Sequence, residues 1–151
     1  MEKLWRVAPW LTRMMLMPPA IIFTLIAIRY LFHPVQTGAE IGLAFNAPLA
    51  VTIIRVGFGA FPLGCALFTL SCLLSKRRVL TGLAFVSTMI GAALVVRVFG
   101  MLADGTVAQS MKLVRAEIGL LVVMAAGILL ELGRRRAATM NLTHEQTMQS
   151  V

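Results

Sequence analysis

The apolar positions of this chain fall in long unbroken runs rather than in the narrow stripes of an amphipathic soluble helix. Four runs, at about residues 14–32, 48–74, 79–102 and 112–132, each reach the roughly 20 predominantly apolar residues needed to cross a hydrocarbon core. Little chain remains outside them. The pattern predicts an all-α membrane protein with one domain over residues 1–136, a four-transmembrane-helix antiparallel bundle. A polar stretch over 137–151 has no apolar period and is expected to be a flexible tail. No internal repeat is visible, so an inverted-repeat transporter has no support.

Proline, glycine and polar residues punctuate the runs. Pro18 and Pro19 either kink the first helix or mark its true start, because proline removes a backbone donor and clashes with the preceding turn. The first loop, residues 33–47, carries a short amphipathic piece around Glu40, Ile41, Leu43 and Phe45 that suits a membrane surface. Asn46 and Pro48 then signal the start of helix two. Asp104 and Gly105 supply the turn between helices three and four.

Charge changes the picture by fixing a topology. The net charge is +8. Its cations flank apolar helices instead of forming an aromatic-interleaved soluble face, so no nucleic-acid partner is expected. Lys3, Arg6 and Arg13 precede helix one; Lys76, Arg77 and Arg78 join helices two and three; Arg134, Arg135 and Arg136 follow helix four. All of these fall on one side, which the positive-inside rule makes the cytoplasm, giving N-in and C-in with two external loops. The N-terminal stretch has a basic flank but a long apolar core with no prompt small-x-small cleavage pattern, and is expected to be a retained helix. Cys65 and Cys72 lie two turns apart on helix two, too far for a bridge within that helix, and are expected to be packing thiols. The methionines lack a repeated spacing across facing helices and fit core filling. No metal and no cofactor are expected.

A second set of charges breaks the simple orientation rule. Arg29, Arg55, Arg97, Lys112 and Arg115 lie near the outer helix ends, accompanied by Glu40, Asp104 and Glu117. Charge beside an apolar segment is costly and usually lines a polar site, pairs, or snorkels to the interface. At 1.5 Å per residue, Arg55 lies about 30 Å from the Ser75 end of its helix, Arg97 about 28 Å from Arg78, Glu117 about 25 Å from Arg134 and Arg29 about 24 Å from Arg13. They share one depth.

Angular position sorts this layer. On helix two the face of Arg55 continues through Gly59, Pro62, Ala66 and Thr69, a small-residue stripe suited to close helix contact, so Arg55 is expected to face the bundle interior. Arg97 shares its face with Ala93, Gly100 and Asp104, the last a lid partner in this reading. Glu117 lines up with Leu113, Met124, Ile128 and Glu131. Arg115 points about 160° away from Glu117, and the shorter, deeper Glu117 is the one expected inside. Helices two and four both begin on the outer side, so their N-termini favour an anion there. Two readings follow. In one, Arg55 and Arg97 hold a carboxylate or phosphate while Glu117 positions an arginine or accepts a proton. In the other, the same charges only fix helix register.

The stretch NAPLAVTIIRVGFGAFPLG at Asn46 to Gly64, then RVFGMLADG at Arg97 to Gly105 and Glu117 in helix four, resembles a bacterial family of small four-helix inner-membrane proteins of unknown function. The likeness covers about 100 residues and points to Arg55, Gly59, Arg97, Asp104, Gly105 and Glu117. It implies a multi-pass protein of a bacterial inner membrane and no particular reaction. A looser likeness to DoxX-like four-helix proteins is an analogy of fold alone.

The expected role is that of a binding or accessory protein, taking an anionic amphiphile, an anionic small molecule, membrane lipids or a partner segment at the outer layer. The alternatives are a structural subunit of a homo-oligomer or larger membrane complex, or a small transporter or channel subunit. Helix one lacks the membrane-embedded glutamate on which small multidrug pumps depend. An enzyme has the least support, since no nucleophile with an oriented base, metal-ligand set or phosphate loop is present.

Overall fold

Runs of Leu, Ile, Val, Ala and Phe satisfy their backbone groups internally when helical, the condition a hydrocarbon solvent imposes. The computed structural model of the chain describes residues 2–75 and 77–149, and contains no strand among them. Lys76 lies outside the described residues, as do the side chains of Lys3 and Arg6. Helix α1 is Glu2–Phe32 and α2 is Pro34–Glu40. Helix α3, Pro48–Ile54, passes through a π-helical stretch, Arg55–Ala60, into α4, Phe61–Leu74. Helix α5 is Val79–Asp104 and α6 is Val107–Gln149. Four segments are long and apolar enough to cross a membrane: Pro9–Phe32, Pro48–Leu74, Val79–Asp104 and Ser110–Ala137. Their exposed side chains include Ile21, Leu25, Phe61, Val95, Phe99, Val122 and Leu129, as expected where lipid rather than water is the surrounding solvent.

Three features differ from the sequence pattern. Helix α1 runs unbroken through Pro18 and Pro19, so the prolines do not mark its start. They leave the Met14 and Met15 carbonyls without the usual partners four residues on. The short helix of the first loop lies ahead of the amphipathic piece: Pro34 presets α2, and the chain beyond Glu40 is non-helical. Gly42, at φ +83°, closes α2 through hydrogen bonds from its own amide to the Ala39 carbonyl and from the Leu43 amide to the Gly38 carbonyl. This pair of bonds is the Schellman arrangement that a glycine in the left-handed region permits. Third, α6 continues through the stretch expected to be a flexible tail, as far as Gln149. No glycine or proline occurs beyond Gly133, so nothing local stops it.

The chain divides into two compact units, Met17–Ser75 and the combination of Met1–Leu16 with Lys76–Val151. The division within α1 falls beside Pro18.

In the unit Met17–Ser75, α1 and the π-helical stretch meet closely. A Cβ added at the buried Gly59 would lie 3.0 Å from both Cγ and Cδ2 of Leu31 and 3.3 Å from its backbone nitrogen. The Tyr30 and Phe58 rings stack beside this contact with centroids 5.3 Å apart. The Leu31 side chain can turn aside but its backbone cannot, so Gly59→Ala is expected to cost about 1–2 kcal/mol. Thermal unfolding in detergent checks this, with Gly57→Ala as the control. Nothing lies within 4 Å of a Cβ at Gly57.

In the other unit, α5 and α6 are joined by the two residues Gly105 and Thr106 and pack along one another. Gly105 adopts φ +67°, the left-handed conformation that ends α5. Leu83, Val86, Met124 and Leu16 are fully buried. At Gly127 three helices converge: an added Cβ would lie 3.1 Å from Leu83 Cδ2 on α5 and 3.3 Å from Met15 Sδ on α1.

Candidate functional site

Charged side chains in an apolar chain need partners, and the described carboxylates show where these lie. On α5 and α6, Arg97 and Glu117 form a forked ion pair. Arg97 Nε donates to Glu117 Oε1 at 2.9 Å and Oε2 at 3.0 Å, and Nη2 donates to Oε1 at 2.6 Å. The two side chains are 31% and 20% exposed, so the pair is only partly enclosed by the protein. This planar two-nitrogen geometry is specific to arginine and fixes orientation as well as charge. Arg115, on the same helix as Glu117, is exposed.

The remaining predicted site residues sit differently. Asp104 is the exposed last residue of α5 and makes no salt bridge among the described residues. Arg97 has Glu117 as its carboxylate instead. Gly59 is filled against Leu31 and offers a backbone contact rather than room for a ligand. Arg55, the first residue of the π-helical stretch, is exposed rather than turned inward. Its own unit contains one carboxylate, Glu40, and that group is taken. Arg29 Nη2 donates to both Glu40 oxygens at 2.8 Å. This pair clasps the end of α1 to the end of α2 across the His33-Pro34 break.

A second polar centre lies outside the residues that the sequence pattern singles out. Glu131 on α6 is 1% exposed and receives two arginines. Arg134 Nε lies 2.9 Å from Oε2 and its Nη2 2.6 Å from Oε1, while Arg135 Nε reaches Oε1 at 3.0 Å. Arg135 Nη2 also donates to the Arg77 carbonyl at 2.9 Å, tying the second half of α6 to the turn before α5. The signal is present in the sequence as Glu-x-x-Arg-Arg, since residues three and four apart share a helix face. A topological role accounts for those arginines in one dimension, and there Glu131 reads only as a member of the Glu117 face.

The described residues contain no group of three or more His, Cys, Asp or Glu placed to hold a metal ion. Four long apolar helices and internally paired charges define the class as multi-pass helical membrane protein. No family model, curated protein or solved structure matches the chain.

Proposed function

We propose that the protein is an accessory or binding protein of a bacterial inner membrane that presents Arg55 to an anionic lipid headgroup, amphiphile or acidic partner segment. The observation that carries this reading is the exposed guanidinium of Arg55 on a spanning segment, in a unit whose single carboxylate already pairs with Arg29. Its depth, about 30 Å from Ser75, matches the headgroup edge of a core about 30 Å thick. An arginine at that depth with no ion pair among the described residues recruits a phosphate or carboxylate from its surroundings.

The Arg97–Glu117 geometry favours a second role for that pair, as a clamp holding α5 to α6. With the termini placed on the basic side, the contact of Arg135 with Arg77 supports an even number of crossings between them, hence two oppositely directed spans. The likeness to four-helix proteins of unknown function belongs with the same proposal.

Native mass spectrometry of the detergent-extracted protein tests the reading. Wild type is expected to retain an anionic lipid or acidic partner, and Arg55→Gln to retain it about tenfold less, the loss of one charge-assisted contact. Equal retention by both proteins refutes a recognition role for Arg55.

A further inference from the structure

Within the unit formed by Met1–Leu16 and Lys76–Val151 lies a cavity of about 420 Å³. Its walls include Pro9, Trp10, Thr12 and Arg13 from α1 and Glu131 and Arg134 from α6. The volume is near the lower end of the 300–1,000 Å³ typical of small-ligand sites, room for a headgroup rather than a whole lipid.

The electrostatics of this cavity are lopsided. Its carboxylate, Glu131, is already saturated by Arg134 and Arg135. A guanidinium carries five N–H donors. Arg134 directs two nitrogens at Glu131, which fixes its plane and leaves donors over. Arg13 is half-buried and makes no hydrogen bond or ion pair among the described residues. The lining thus holds two cations against one neutralised anion, with Thr12 in the same wall. At its edge Trp10 is 70% exposed, and Leu11 and Met14 on the same helix are exposed as well. Apolar surface therefore leads up to a basic cavity, the complement of an acyl chain ending in a phosphate.

We propose that this cavity is an anion site for the phosphate of an anionic phospholipid headgroup, with Arg13 as the free guanidinium contact and Arg134 as a second contact oriented by Glu131. It is separate from Arg55 and stands or falls without it. The shared chemistry is a phosphate oxyanion between two guanidinium groups, the arrangement in which arginine outperforms lysine.

The test uses the delipidated full-length protein in a zwitterionic detergent and follows thermal unfolding and native mass spectra during titration. The probes are phosphatidylglycerol, phosphatidylcholine and inorganic phosphate. A protein of net charge +8 attracts anionic lipid non-specifically, so Arg115→Gln serves as the charge-matched control. Wild type and Arg115→Gln are expected to bind phosphatidylglycerol alike, and Arg13→Gln about tenfold more weakly, with Arg13→Lys recovering only part. Stabilisation by phosphatidylglycerol alone assigns the headgroup as the source. Equal stabilisation by inorganic phosphate, again lost in Arg13→Gln, keeps the anion site and assigns a soluble phosphate instead. The proposal is overturned if phosphatidylcholine binds as well as phosphatidylglycerol, or if Arg13→Gln matches Arg115→Gln. A loss confined to Arg55→Gln overturns it too, while leaving the Arg55 reading intact. Arg13 has no partner among the described residues, so its replacement spares the fold; unaltered detergent-phase melting without lipid verifies that.

Discussion

Replacing Arg134 and Arg135 together by alanine is expected to destabilise the protein by about 3–5 kcal/mol, more than any other substitution proposed for this chain. Glu131 is 1% exposed and its carboxylate receives hydrogen bonds from these two side chains. With both removed, the carboxylate stays buried without a counter-charge, and the desolvation cost is no longer offset. The bond from Arg135 to the Arg77 carbonyl is lost as well. Either single alanine variant leaves one arginine on Glu131 and is expected to cost less than half as much. Adding Glu131→Gln to the double variant is expected to recover most of the loss, because a neutral amide is far cheaper to bury than an ion. Thermal or denaturant unfolding in micelles measures all four proteins. A double variant as stable as wild type contradicts the assignment.

The second large effect is expected at Arg97 and Glu117. Removing either partner strands a charge that is 20–31% exposed, at a cost of about 2 kcal/mol, smaller than for Glu131 because the pair is less deeply buried within the protein. If the pair is a clamp, the two losses overlap: Arg97→Ala combined with Glu117→Ala is expected to cost about as much as one single variant rather than the sum. Full additivity would show that the two side chains do not act on each other. The charge swap Arg97→Glu with Glu117→Arg is expected to retain part of the coupling, since the fork must be rebuilt from the opposite helix. These measurements need no ligand, which separates the clamp from any recognition role.

How much is legible in the sequence follows from which physical signal each feature leaves in one dimension. The spanning segments leave the strongest, since few soluble structures demand an apolar run of bilayer length. Helix α3 begins at Pro48 and α4 ends at Leu74, the limits of the second run. The Arg97–Glu117 contact is legible as a matched depth on neighbouring helices, although its fork geometry is not. Arg29 with Glu40 is not legible as a pair, because the His33-Pro34 break and the short α2 decide whether those side chains meet. Pro18 and Pro19 leave the start of α1 open, since proline is compatible with both a helix start and a helix interior braced by its surroundings. Glu131 escapes a reading along the chain because its burial comes from the packing of α1 and α5 around α6, which no spacing along α6 encodes. The cavity beside it depends on the same convergence.

The π-helical stretch at Arg55–Ala60 has a consequence for every residue beyond it. A π-turn accommodates one more residue than an α-turn, and one residue corresponds to about 100° of rotation on an α-helical wheel. Side chains of α3 and α4 therefore follow two phases, and a single projection through Arg55, Gly59, Ala66 and Thr69 joins positions set on different bearings. Arg55 stands at the seam. Gly59, Cys65, Ala66, Thr69 and Cys72 are buried while Arg55 is exposed. The phase slip lets one continuous helix press its small residues inward and still turn its lone guanidinium out, two aims that an unbroken α-helical wheel would set against each other.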